Sequence, residues 1–124
     1  MKKGLLIVRL LLGVMMIAFG ANKFLHFMPM PEMAEPMQNF LGAIGATGYL
    51  MPLVAIVEIV AGITFVFNKF AALGAVILVP VMLNAFLAHL FLDPAGMGGA
   101  LVAFILTIVL IVGMKDKYSK IFEA

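Results

Sequence analysis

Apolar residues run almost unbroken through four stretches of the chain, 4–22, 48–67, 70–92 and 95–114. A helix rising about 1.5 Å per residue needs about 20 residues to cross a hydrocarbon core of about 30 Å, and a lipid-exposed segment must satisfy its backbone internally. The stretches are therefore predicted to be transmembrane helices. Asn68-Lys69 reads as a tight turn between the second and third, and Asp93-Pro94 begins a short turn between the third and fourth. The connection after the first span is longer, and Pro29, Pro31 and Pro36 deny the Met28 to Pro36 stretch a regular helix. Met37, Phe40, Leu41 and Ile44 then recur at helical spacing. This predicts a short interfacial helix lying over the mouth of the bundle. The expected fold class is all-α: a four-transmembrane-helix bundle, one domain over residues 1–124.

The first span could also be a signal peptide, because Lys2-Lys3 precedes an apolar run in which Ala18 and Gly20 offer small residues for cleavage. Arg9 within the run, and further spans to pack against, favour a retained helix.

Composition excludes several classes of function. Apolar residues make up 65% of the chain and its mean hydropathy is +1.23, far from a soluble domain. The net charge of +2 comes from basic residues at helix ends, without a basic stripe interleaved with aromatics, so nucleic acid is not an expected partner. There are no cysteines, which rules out thiol redox chemistry, thiolate metal sites and disulfides of the chain's own. Of the 8 basic residues, Lys23 alone falls on one side of the predicted spans. Lys2, Lys3, Arg9, Lys69, Lys115, Lys117 and Lys120 fall on the other. Positive residues stay inside, so a multi-pass protein of the bacterial inner membrane with both termini cytoplasmic is expected.

Lipid provides no hydrophobic drive between helices, so small residues that let backbones approach should mark the packed faces. Gly13 and Gly20 share a face with Arg9 on the first span, Ala55 and Gly62 flank Glu58 on the second, and Gly99, Ala103 and Thr107 recur on the fourth. Arg9 is read most simply as an anchor snorkelling to the inner face, with the Gly13-Gly20 stripe keeping a buried role open, and Pro80 as a kink in the third span.

Glu58 is the most informative residue. It falls near the middle of the second span, where an acidic side chain costs about 2.5–3.5 kcal/mol in insertion and by default marks function. Ala55 and Gly62 turn it inward. Its bland alternative is a carboxyl tying two helices together, worth about 0.6 kcal/mol on average. Asn84 and His89 fall on the outer half of the third span, about 5 Å and 12 Å above mid-span by helical rise, and Asn22, Lys23 and His26 on the outer end of the first. Shared depth outlines an outward-opening polar pocket with Glu58 as its floor. Asn84 and His89 differ by about 140° around their helix, so a wide pocket is needed to hold both. Asp93, four residues beyond His89, is expected to orient its ring. Asn22, Lys23 and His26 read equally well as headgroup-level residues. The loop also carries His26, Met28, Met30, Met33 and Met37. Such soft ligands suit Cu(I), but methionine serves as well as pliable apolar filling, and no metal site is assigned.

The runs Arg9-Leu-Leu-Leu-Gly13 and Phe19-Gly-Ala-Asn-Lys23-Phe resemble the first helix of DoxX-type membrane proteins. Ala46-Thr-Gly-Tyr-Leu-Met-Pro-Leu with Glu58-Ile-Val-Ala-Gly62 resembles the second, and Asn84 to Asp93 the third. The resemblance implies the same four-helix bundle. It also implies a setting in membrane redox chemistry, since some relatives are linked to thiosulfate:quinone oxidoreductase and others to redox-stress complexes.

The leading expectation is a subunit that binds a lipophilic small molecule, best a quinone, in or beside a membrane redox system. Glu58, Asn84 and His89 would hydrogen-bond it, with Lys23, Asn22 and His26 at the entrance. No cofactor is expected to be covalently bound, and electrons would have to come from a redox partner protein, because the chain shows no flavin, haem or iron-sulfur motif. The second class is a non-enzymatic scaffold or assembly factor acting through its outer loop. A transporter or channel would require a homo-oligomer, because four short spans rarely make a pathway alone.

Overall fold

The computed structural model describes residues 2–28 and 32–122, and every regular element among them is helical. The elements are α1 (Lys2–Leu25), α2 (Glu35–Ala46), α3 (Leu50–Phe67), α4 (Ala71–Leu92) and α5 (Gly98–Gly113), with 3₁₀ turns at Pro94–Gly96 and Lys115–Phe122. α1 packs on α3, α3 on α4, α4 on α5 and α5 back on α1, while the shorter α2 lies against α3 and α4. Three helices, Lys3–Leu25, Leu50–Phe67 and Ala71–Leu92, are long and apolar enough to cross a membrane. A fourth is added if Gly98–Gly113 and Lys115–Ile121, bent by 74° at their junction, count as one span.

The outward faces are as apolar as the core. Ile7, Val14, Leu73 and Val112 are each at least 60% exposed, an arrangement that suits lipid rather than water.

Helix boundaries follow local chemistry. Gly48 adopts φ +79° and turns the chain, so α3 starts at Leu50 and not at residue 48. Asn68 ends α3 in the left-handed region at φ +54°, a conformation asparagine tolerates better than most residues. Pro94 opens a 3₁₀ turn, which delays α5 to Gly98, three residues past the predicted start at 95. Of the predicted irregular stretch, residues 29–31 lie outside the described residues. Residues 32–34 are irregular, and Pro36 is accommodated in the first turn of α2, where its missing N–H costs nothing.

The small residues set the tightest crossing. A Cβ added to Gly62 would lie 2.7 Å from the Gly13 carbonyl oxygen, and one added to Gly20 would lie 2.8 Å from the Ala55 carbonyl oxygen. α1 and α3 thus touch backbone to backbone. On α5 the stripe is only partly used: Ala103 and Thr107 are buried, but Gly99 faces open space. Pairing of α4 with α5 relies instead on Phe86 and Phe104, stacked at 5.4 Å.

Two tertiary contacts name partners that the pattern of residues did not. The Arg9 guanidinium does not reach for a membrane surface; it donates to the Phe65 carbonyl oxygen. That oxygen belongs to the last turn of α3, where carbonyls lack helical partners and the helix dipole favours a cation. Tyr118, in a segment too polar to show a helical pattern, is buried and donates from its hydroxyl to the Ala72 carbonyl oxygen at 2.8 Å. These contacts gather the start of α1, the α3–α4 turn and the end of α5 at one end of the molecule. Lys3, Lys69, Lys115, Lys117 and Lys120 collect there.

Candidate functional site

The opposite end holds a cavity of about 310 Å³ between α2, α3 and α4, with Lys23 of α1 on its wall. Its lining is chiefly apolar: Met37, Phe40, Leu41 and Ile44 present the hydrophobic face of α2, and Met51 and Val54 face them from α3. Set among these are four polar side chains, Lys23, Glu58, Asn84 and His89. Few polar groups in an apolar wall is the usual make-up of a small-molecule site, and the volume lies at the lower end of the range for such sites, about 300–1,000 Å³.

Glu58 is 3% exposed, midway along α3. Gly20 and Ala55 bring α1 so close to α3 that the last turn of α1 sets Lys23 over the carboxylate, with Nζ 2.6 Å from Oε1. The ammonium neutralises a charge that would otherwise be very costly inside the protein. Oε1 is buried, and the Lys23 ammonium is its partner. Nζ also lies 3.5 Å from the Phe19 carbonyl oxygen. Lys23 is therefore more than a headgroup-level residue: it is the counter-ion of Glu58.

His89 is partly buried, and its Nδ1 donates to the Ala85 carbonyl oxygen of its own helix at 2.9 Å. Asp93 does not orient the ring. Its carboxylate folds over Gly96 instead, where a Cβ would come within 2.6 Å of Oδ2. Asn84 is exposed, yet it too lines the cavity. The angular separation of Asn84 and His89 is bridged because α4 is flanked by α2 as well as α3, so the cavity wraps around more than one face of α4.

Asn22 and His26 lie away from this group. Successive helical residues point about 100° apart, so with Lys23 aimed at α3 its neighbour Asn22 cannot follow. The Asn22 Oδ1 accepts from the Met28 N–H at 2.7 Å and folds the chain back after α1. His26 is exposed, with φ +53° and its backbone N–H on the Asn22 carbonyl oxygen at 2.8 Å. Neither lines the cavity. Met30 of the thioether run lies outside the described residues. Among the described residues no group of three or more His, Asp or Glu side chains is placed to hold a metal ion.

The apolar wall contributed by α3 and α4 was not anticipated. Met51, Val54, Val81 and Met82 are ordinary residues of an apolar run, and nothing in their pattern distinguishes a cavity wall from a packed or lipid-facing side.

No curated protein and no solved structure matches the chain. A family model, DoxX, matches residues 4–90, from the first turn of α1 through His89 and so across every polar residue of the cavity. With that match and its apolar helices of spanning length, this small integral membrane protein belongs to the DoxX family.

Proposed function

We propose that the chain is a small membrane subunit that binds a lipophilic small molecule, a quinone before others, in or beside a membrane redox system. The observation that carries this reading is the apolar cavity with Lys23, Glu58, Asn84 and His89 in its wall. In this reading α1, α3, α4 and α5 are four spans of an inner-membrane bundle with both termini cytoplasmic. The lysine-rich end faces inward under the positive-inside rule, and α2 lies in the outer interface above the cavity. The α2 face of Met37, Phe40, Leu41 and Ile44 lets an apolar ring or tail enter without meeting water.

A quinone headgroup is apolar in the ring and polar at two oxygens, which suits such a wall. As electrons arrive from a partner those oxygens become basic, and a carboxyl and an imidazole beside them can exchange the protons that accompany the change. The chain supplies binding and proton exchange, and the redox partner supplies the electrons.

The test is binding of a short-chain quinone, in either redox form, to the detergent-purified protein by thermal shift and by competition. Saturable stabilisation that Glu58→Gln and His89→Ala weaken, with the unliganded proteins still folded, supports the reading. No shift with any quinone in either form sinks it.

A scaffold reading has one specific observation in its favour: Phe24, Leu25 and Phe27 stand exposed where α1 runs into the outer loop. It predicts that Glu58→Gln lowers expression or thermal stability without affecting any ligand.

A further inference from the structure

We infer that the lysine-rich end is a binding surface for the headgroups of anionic phospholipids, with Lys69, Lys117 and Lys120 as its phosphate contacts. The inference does not depend on what the cavity holds. The interior of this end is spent on joining helices, but its lysines are not. Lys3, Lys69, Lys115, Lys117 and Lys120 are all exposed, and the salt bridge found among the described residues pairs Lys23 with Glu58 at the other end. Asp116 is the only acid at this end among the described residues.

Packing holds these charges together. The end of α5 lies so close to the start of α1 that a Cβ on Gly113 would come within 2.5 Å of a Leu5 methyl, which brings Lys3 to the chain's last turns. The final segment then bends 74° away from α5 and runs across the end of the bundle. There the Tyr118 hydroxyl, on the Ala72 carbonyl oxygen at 2.8 Å, pins it beside the α3–α4 turn that carries Lys69. In a 3₁₀ helix residues three apart eclipse, so Lys117 and Lys120 share one face, Asp116 and Ser119 a second, and the buried Tyr118 lies on the third. The acid is thus turned away from the two lysines. Phe67, Phe70 and Ile121 stand beside this cluster, each at least 68% exposed. Apolar side chains that enter the acyl boundary next to lysines held at phosphate level are the pattern of an element lying in a membrane interface. An acidic soluble partner would meet the lysines and leave the three apolar side chains in water, whereas a leaflet containing anionic lipid accommodates both.

The experiment titrates the detergent-purified full chain with phosphatidylglycerol, with phosphatidylcholine of the same acyl chains, and with inorganic phosphate, each read by thermal shift. Phosphatidylglycerol should stabilise saturably and bind about tenfold or more tightly than phosphatidylcholine, and the preference should shrink in about 0.5 M salt. Each lysine lost from such a surface lowers affinity about fivefold, so Lys117→Gln with Lys120→Gln should erase most of the preference and Lys69→Gln part of it. Lys117→Arg with Lys120→Arg should keep it. All three side chains are exposed, so the unliganded variants should melt as the wild type does. Equal stabilisation by the two lipids overturns the inference, and so does a preference that the glutamine variants leave intact. Inorganic phosphate acting as strongly as the lipid would mark a free-anion site and overturns it too. Should a variant fail to fold, the wild-type preference and its loss in salt still decide.

Discussion

The two ends of the α1–α3 pair are built differently. Towards the lysine-rich end Gly13 meets Gly62, the Arg9 guanidinium caps the last turn of α3, and the Tyr118 hydroxyl ties the chain's last turns to α4. Every polar group in these contacts is spent on backbone carbonyls. Towards the other end the same two helices are still close at Gly20, but α2 is interposed against α3 and α4 and a cavity opens with polar side chains in its wall. One end is committed to holding helices together and the other is free to hold something else. A lone ionisable residue in a span is therefore not informative by type alone. Arg9 and Glu58 both sit within apolar runs; the first has a backbone partner and the second has a side-chain partner beside a void.

The largest effect should come from breaking the tight end. Gly62→Val would push a side chain into the Gly13 carbonyl oxygen and the Ile17 backbone nitrogen, and although the Ile17 side chain can turn aside, these two backbone atoms cannot. Overpacking there should cost about 3 kcal/mol, seen as a fall in unfolding free energy in mixed micelles. A smaller loss would mean that α1 and α3 can separate without cost.

Removing the counter-ion at the open end comes next. Lys23→Met leaves the Glu58 carboxylate buried without its ammonium. Breaking a fully buried pair costs about 3–5 kcal/mol, but the Lys23 side chain is 26% exposed, so about 2 kcal/mol is expected. The double variant Lys23→Met with Glu58→Gln should recover most of it. Failure of that rescue would show that Lys23 acts by packing and not by charge.

Tyr118→Phe should cost about 1 kcal/mol through loss of the bond to the Ala72 carbonyl. Burial pushes the Tyr118 phenol above its ordinary pKa. Its contribution is therefore whole below the ordinary tyrosine value and fades as alkali carries the pH up through that value and beyond. A stability profile at high pH should show this fall in the wild type and lack it in the phenylalanine variant.

The smallest effect is expected on α2, where a Cβ at Gly42 would meet nothing within 4 Å. Gly42→Ala should gain up to about 1 kcal/mol of helix propensity and leave ligand binding unchanged. A loss of binding would show that α2 must bend to admit the ligand.

Much of this could be read before any coordinates. The apolar stretches became α1, α3, α4 and α5 within a few residues, because an unbroken apolar run of that length has few other uses. Met37, Phe40, Leu41 and Ile44 marked α2 and its apolar face together. Gly13 and Gly20, and Ala55 and Gly62, marked the packed faces of α1 and α3, because only small residues permit backbone contact; that the two faces meet came from the structure. Lys23, Glu58, Asn84 and His89 could be grouped by depth alone. Direction was the weak point. Asn22 and His26 share that depth but turn away, Gly99 continues a stripe it does not pack with, and the ring of His89 takes the Ala85 carbonyl before it takes Asp93.

What the sequence by itself determined is therefore axial: where the helices lie, which end gathers the lysines, and at what height each polar residue sits. Those depend on counting residues along a rod of fixed rise. What only the tertiary structure decided is angular and pairwise: that Lys23 neutralises Glu58, that Arg9 caps α3, that Tyr118 closes the base and that Met51, Val54, Val81 and Met82 wall the cavity. These depend on how each helix is rotated and on which neighbour it meets, and rotation in an almost uniformly apolar chain leaves little trace in the pattern of residues.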